Sequence, residues 1–82
     1  MSVLTEDEIS GYASQAGFTG DDLTTAVAIA FAESGGDPLA HGDTTMGAGS
    51  LGLWQIYVDA HPEFAGMNLY DPATNALAAN SG

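Results

Sequence analysis

The chain has no lysine and no arginine among its 82 residues, but it has 11 aspartates and glutamates, so its formal net charge is −11. Proteins that bind nucleic acid neutralise phosphates with these two cationic side chains, and their absence excludes nucleic acid as a partner. The same charge disfavours attraction to an anionic membrane surface. The carboxylates are spread along the sequence, which is typical of a solvated acidic surface and not of an acidic tail.

Cysteine is also absent, so neither a disulfide nor a thiolate metal site is available. His41, Asp43 and His61 do not have the spacing of a standard metal site. Asp37 and Asp43, with the glycines near them, do not follow the pattern of a calcium-binding loop. We therefore expect no metal and no cofactor.

Long apolar runs are missing as well. No segment reaches the roughly 18 apolar residues of a membrane span. The N-terminal residues MSVLTEDEIS lack the basic and apolar regions of a signal peptide. The sequence thus predicts no membrane span and no secretion signal, so action outside a cell would require another export route.

What remains is a chain with 45% hydrophobic residues, which is normal for a globular protein. Its length allows one small domain with a thin core. Thr5 and Glu8 form a capping-box pattern, and apolar residues at helical spacing follow as far as Gly17. A second helix is predicted from Thr19 to the Gly35-Gly36 pair. Its expected inward face consists of Leu23, Ala26, Val27, Ala30, Phe31 and Ser34.

The middle of the chain is less regular. Residues 35–50 contain many glycines and predict a loop. The following SLGLWQIYVDA is compatible with either a short strand or the start of a helix, and His61-Pro62 interrupts it. Asp71-Pro72 has the form of a helix N-cap followed by proline at the first helical position, which predicts a third helix over ATNALAAN.

Glu33 is the residue that most needs an explanation, because it lies at the end of the most apolar helix. We expect its carboxyl to be partly desolvated, with no Lys or Arg in the chain to stabilise the anion. The negative end of the helix dipole also disfavours the anion there. Together these effects favour a neutral carboxyl, which is what a general acid requires. The alternative is a solvated surface glutamate.

Several segments occur in an order that resembles a known family: AIAFAESGGDP, a Gly-rich loop, GSLGLWQI, HP and NLYDPATNALAA. The order is similar to that in soluble lytic transglycosylases and goose-type lysozymes, particularly the domains from actinobacteria and their phages. The resemblance covers about Leu23 to Ala79. It implies a mainly α, small lysozyme-like helical domain with a Gly-rich loop or short β segment between helices. Family domains extend further, so residues 1–82 are expected to form a single domain that lacks its C-terminal part.

The resemblance also implies roles for individual residues. Glu33 is the expected catalytic acid, and Ser34 is expected to hydrogen-bond and orient its carboxyl. Gly52, Leu53 and Gln55 are expected to line the substrate groove, with Gln55 donating to a substrate amide or hydroxyl. Trp54 is either a sugar-stacking residue or part of the core.

Two further residues of the resemblance, Asp71 and Asn75, are expected to lie in a supporting helix. A hydrolase would need a second carboxylate, for which Asp43 is the loop candidate. No other acid of the chain stands out as a partner for Glu33, which favours the transglycosylase over the hydrolase.

The implied function is cleavage of the MurNAc–GlcNAc β-1,4 bond of peptidoglycan at the cell wall by a lytic transglycosylase. The expected partners are glycan strands and, in one interpretation, other proteins of a virion such as a phage tail or tape-measure assembly. The alternative function is a non-catalytic structural module of a phage tail or similar assembly that retains a lysozyme-like half-fold. A peptidoglycan-binding module without turnover is a third hypothesis.

Overall fold

The computed structural model describes residues 3–42 and 49–81. In these residues the helices are α1 (Glu6–Gln15), α2 (Gly20–Ser34) and α3 (Pro72–Ser81). The described residues between α2 and α3 include three two-residue strands: β1 (His41–Gly42), β2 (Ser50–Leu51) and β3 (Ile56–Tyr57). Two short 3₁₀ helices follow the strands, at Val58–Ala60 and Pro62–Phe64. The expected mainly α fold with a short β segment is therefore confirmed.

Helix α1 begins as the sequence predicts. The Thr5 backbone N–H donates to Glu8 Oε1 at 2.8 Å, and the Glu8 backbone N–H donates to Thr5 Oγ1 at 3.2 Å. These reciprocal bonds satisfy two of the N–H groups that a helix start leaves unpaired. Ile9 and Ala13 are the buried residues of this helix, so its apolar face points into the core.

Helix α2 ends at Gly35, whose φ of 64° places it in the left-handed region that favours glycine. Ala26, Val27 and Ala30 are buried as expected. Phe31, by contrast, is 38% exposed, so its placement on the inward face was wrong. Its ring lies against Gly36, and the side chain thus covers the turn after the helix and not the core.

The strands form a small antiparallel sheet in the order β1-β2-β3. His41 pairs with Leu51, and Leu51 pairs in turn with Ile56. The segment that the sequence left undecided is thus a hairpin followed by a 3₁₀ turn. Two-residue strands are too short to show the alternating pattern by which a strand is recognised, which is why the sequence did not reveal the sheet.

The core has two adjoining parts. The larger one joins all three helices to the hairpin turn, and the smaller one packs α3 against the segment that precedes it. The buried members of the first are Ile9, Ala13, Ala26, Val27, Ala30, Leu53, Trp54 and Ala76. Those of the second are Phe64, Leu69 and Ala78.

Asn75 on α3 is the one buried polar side chain found among the described residues, with no exposed surface. Its Oδ1 accepts from the Trp54 backbone N–H at 2.8 Å. Its Nδ2 donates to Leu51 O and to Leu69 O, each at 2.8 Å. One amide therefore connects α3, the end of β2, the hairpin turn and the segment before the helix.

Helix α3 begins at the predicted place. Asp71 precedes it, and its side chain accepts from the Thr74 backbone N–H at 3.1 Å and from the Thr74 hydroxyl at 2.8 Å. Asp71 is thus the N-cap residue and Pro72 is the first helical residue. Among residues 3–42 and 49–81, no helix is both long enough and apolar enough to cross a bilayer.

Replacing Asn75 with alanine is expected to lower the free energy of unfolding by about 3 kcal/mol or more, because three buried backbone groups would lose their partner. In a domain this small, such a loss would leave much of the chain unfolded. Urea denaturation followed by circular dichroism measures the change. Asn80→Ala is the matched control, since the exposed Asn80 makes one bond, to Ala16 O, and should cost less than about 1 kcal/mol. Equal effects of the two substitutions would contradict the role given to Asn75.

Salt is expected to stabilise the protein, because the net charge of −11 has no Lys or Arg to offset it. Repulsion among the carboxylates falls as the Debye length shrinks from about 30 Å at 0.01 M to about 3 Å at 1 M salt. The Tm should therefore rise by several degrees between low and high sodium chloride, as calorimetry would show. The double variant D21N/D22N should reduce that rise. A Tm that is constant or falls with salt would contradict the prediction.

Candidate active site

Glu33 lies in the last turn of α2, and its side chain is exposed. It shares one stripe of the helix with Asp22 and Ile29, 11 and 4 residues earlier, and both of these are also exposed. The expectation of a partly desolvated carboxyl was therefore wrong for this structure. The carboxyl of Glu33 is thus accessible to solvent at the end of α2. The chain has no Lys or Arg that could pair with it.

Ser34 directs its hydroxyl to the backbone. The Oγ–H donates to Ala30 O at 2.8 Å, and Oγ accepts from the Gly36 N–H at 3.2 Å. A serine hydroxyl has a single proton, so in this arrangement it does not donate to the Glu33 carboxylate. The predicted orienting bond is thus replaced by one that secures the end of α2.

Gly52 is required by packing within the protein. Its φ is 78°, and a Cβ at this position would collide with Leu69 O and with the Asn75 amide. The close approach that only glycine allows is therefore made to α3 and the segment before it, not to a ligand. The next residue, Leu53, is fully buried, and the prediction that these two residues line an open groove was wrong.

Trp54 is mainly a core residue. It is 7% exposed, its Nε1–H donates to Ala26 O at 2.9 Å, and its ring stacks with Phe18 at a centroid distance of 6.4 Å. A buried indole N–H normally needs such an acceptor. Of the two predicted roles, this structure shows the packing role, and it joins the hairpin turn to the middle of α2.

Gln55 closes the hairpin turn with a φ of 52°, which is the only positive φ of a non-glycine residue among residues 3–42 and 49–81. Its Nε2 donates to Ala40 O at 3.0 Å and to Gly52 O at 2.8 Å. Since a side-chain amide has two N–H donors, both are in use, and donation to a substrate is not available in this conformation. Gln55 is half-buried, and its Oε1, which lies beside Gly42, has lone pairs that can accept a hydrogen bond.

The second acid and the two histidines are the remaining candidate residues from the sequence. Asp43, the candidate second acid, lies outside the described residues. His41 on β1 makes an edge contact with the ring of Tyr70, at a centroid distance of 6.4 Å. His61 faces Glu63 at 3.6 Å on the surface. Within the described residues, no three histidine, aspartate or glutamate side chains are grouped so that they could hold a metal ion.

A cavity of about 340 Å³ opens beside the stripe that carries Glu33. Among the described residues, its walls come from α2, α3, β3, the hairpin turn and the residues between α1 and α2, and apart from one acid and one threonine they are apolar. The lining residues are Phe18, Asp22, Thr25, Ala26, Ile29, Trp54, Ile56 and Ala79. We call this surface the α2–α3 groove. We did not expect this groove from the sequence. The isoleucine one turn before Glu33, on the same stripe of α2, could have indicated an apolar surface beside the acid.

A model of the lysozyme-like domain family matches residues 10–81, which is most of the chain. The chain belongs to the lysozyme-like domain family. No curated protein and no solved structure matches it significantly. The family resemblance inferred from the ES, GLWQ and DPATNALAA segments is thus confirmed, whereas an actinobacterial or phage origin stays a prediction. For this lysozyme-like domain, the family supports peptidoglycan as the substrate, action on the cell wall and, at a coarse level, a glycosidase-like activity.

Replacing Gln55 with glutamate is expected to lower the free energy of unfolding by about 1–3 kcal/mol, because a carboxylate cannot donate to Ala40 O and Gly52 O. Urea denaturation at neutral pH measures the change. Gln15→Glu is the matched control, since it adds the same charge at an exposed position of α1, where the dipole costs at most about 1 kcal/mol. A loss no larger than that of the control would show that the two bonds do not stabilise the turn.

Proposed function

We propose that the lysozyme-like domain is a lytic transglycosylase that cleaves the MurNAc–GlcNAc β-1,4 bond, with Glu33 as both acid and base. The observation that carries the proposal is the position of this carboxyl, exposed in the last turn of α2. An acid must reach the glycosidic oxygen to within hydrogen-bond distance. Because the Glu33 carboxyl is exposed, a glycosidic oxygen can approach it from solvent.

The chemistry needs one carboxyl in two successive protonation states. Glu33 first donates its proton to the bridging oxygen as the bond breaks through an oxocarbenium-like transition state. The resulting carboxylate then accepts the proton of the muramyl 6-hydroxyl, whose oxygen bonds to C1 and forms a 1,6-anhydro ring. The proton given to the leaving sugar is thus balanced by the one taken from the 6-hydroxyl, and no water is consumed.

In the proposed complex, a bound glycan strand desolvates the Glu33 carboxyl. Because Glu33 is exposed before binding, a glycan strand lying over the end of α2 would remove water from the carboxyl. Burial disfavours the charged form of a carboxyl, so the bound sugar itself promotes the acid form.

Gln55 is the second contributor in this proposal. Its two N–H donors hold the hairpin turn, and its Oε1 is available to accept from an acetamido N–H or a hydroxyl of the sugar. This reverses the direction of the hydrogen bond expected from the sequence. Ser34 then supports Glu33 indirectly, by securing the turn in which the acid lies.

Glu33→Gln is expected to reduce the release of anhydro-muropeptides from sacculi by a factor of about 10² to 10⁴, the usual contribution of a positioned acid-base group. Mass spectrometry of the products measures it. Glu63→Gln is the matched control: Glu63 is exposed and faces His61 on the surface, and loss of its charge should leave the rate unchanged. Several salt concentrations are needed, because an acidic wall repels an acidic protein at low salt.

Three outcomes would contradict the proposal in different ways. Products with reducing ends would show a hydrolase, and an additional loss of activity in Asp43→Asn would then identify the second carboxylate. An unchanged rate in Glu33→Gln would remove Glu33 from the mechanism. No release by the folded wild-type chain at any salt concentration would favour a binding or structural module.

A further inference from the structure

We infer that the α2–α3 groove is a docking site for an amphipathic helix of a partner protein, with an apolar face and lysine or arginine at the end that meets Asp22. The inference does not depend on the proposed function, because the groove walls contain neither Glu33 nor Gln55. It rests on the helices that border the groove, on its apolar lining and on the charge of the chain.

The groove is bordered by two helices that pack on a third. Helices α2 and α3 both pack on α1, and the groove lies between them with Trp54 and Ile56 in its wall. Small residues of both helices, Ala26 on α2 and Ala79 on α3, line it and permit close approach. A groove between helices with small side chains in its lining is the usual receptor for an amphipathic helix, which inserts apolar residues spaced three or four positions apart.

The lining explains why the occupant must be apolar on one face. Ile29 is 44% exposed. It borders the cavity of about 340 Å³, whose other large apolar side chains are Phe18, Trp54 and Ile56. A helix that covers Ile29 would remove this apolar surface from water. At about 25 cal/mol per Å², burial of that kind is the main source of affinity for an uncharged contact.

The charge explains why the occupant must be basic at one end. Among the described residues that line the groove, Asp22 is the single charged one, and Asp21 beside it in the first turn of α2 is also exposed. Residues 1–82 contain no Lys or Arg and carry a net charge of −11, so a partner helix with Lys or Arg is complementary in charge to these carboxylates. Asp22 and Ile29 are seven residues apart, or about 10 Å along α2, so two turns of a partner helix span both.

The test uses a designed peptide of about 18 residues built from leucine, alanine and lysine, with leucines at helical spacing on one face and lysines at one end. A second peptide has the same composition in scrambled order, and a third has glutamate in place of lysine. Trp54 is the only tryptophan and lines the groove, so its fluorescence reports binding directly. Calorimetry with the intact chain provides the dissociation constant.

We expect the amphipathic basic peptide to bind at least about tenfold more tightly than either control peptide, a difference of about 1.4 kcal/mol. Ile29→Asp should weaken binding by about tenfold or more, because it places a charge against the apolar face. Leu77→Asp is the matched control: Leu77 is 54% exposed on α3 and is not part of the groove lining, so binding should persist. Asp22→Asn should weaken binding severalfold at low salt and have little effect at high salt.

Other results would overturn the inference. Equal binding of the scrambled peptide, or full binding by a folded Ile29→Asp variant, would show non-specific attraction to an acidic protein. A chain that dimerises by itself and becomes monomeric in Ile29→Asp would make a second copy the occupant. Muropeptides that change Trp54 fluorescence, with no binding of the basic peptide, would make the groove a subsite for substrate.

Discussion

The buried amide of Asn75 is the contact on which the rest of the structure depends. Its three hydrogen bonds use its carbonyl oxygen once and both of its N–H donors, and they hold backbone groups from three separate segments. An unpaired group in that position would cost about 1–3 kcal/mol, a large share of the stability of so small a domain. The amide also explains Gly52, because any Cβ there would occupy the space of the Asn75 side chain.

The position of the hairpin turn relative to α2, and so to Glu33, depends on Asn75 through two hydrogen bonds. Asn75 fixes the backbone at Trp54, and the Trp54 indole then bonds to Ala26 O in the middle of α2. Glu33 lies seven residues further along the same helix, or about 10 Å away. The acid and the turn that contains Gln55 are therefore held in a fixed relation through the core, although they belong to different elements and the acid itself is exposed.

Local features of the sequence predicted local structure correctly. The capping box at Thr5 and the Asp71-Pro72 start of α3 depend on contacts within four residues, and both are confirmed. The roles assigned to Gly52 and Leu53 failed because their surroundings are set by residues far away in the chain. Asn75, for example, bonds to a residue 21 positions earlier. A motif identifies which residues matter, but the direction of each side chain depends on such distant partners.

The absence of Lys and Arg affects both the stability of this domain and the way in which it can bind a glycan. Without Lys or Arg, the fold has no ion pairs with these residues and relies on apolar burial and hydrogen bonds, which salt does not weaken. Attraction to a polyanionic wall is likewise unavailable at long range, so a glycan must be bound by contacts at hydrogen-bond distance. In the proposed site, the exposed Glu33 carboxyl and Oε1 of Gln55 are acceptors for sugar hydroxyls and amides, which are neutral donors. The charge that repels the wall as a whole thus does not oppose hydrogen bonding to these neutral groups.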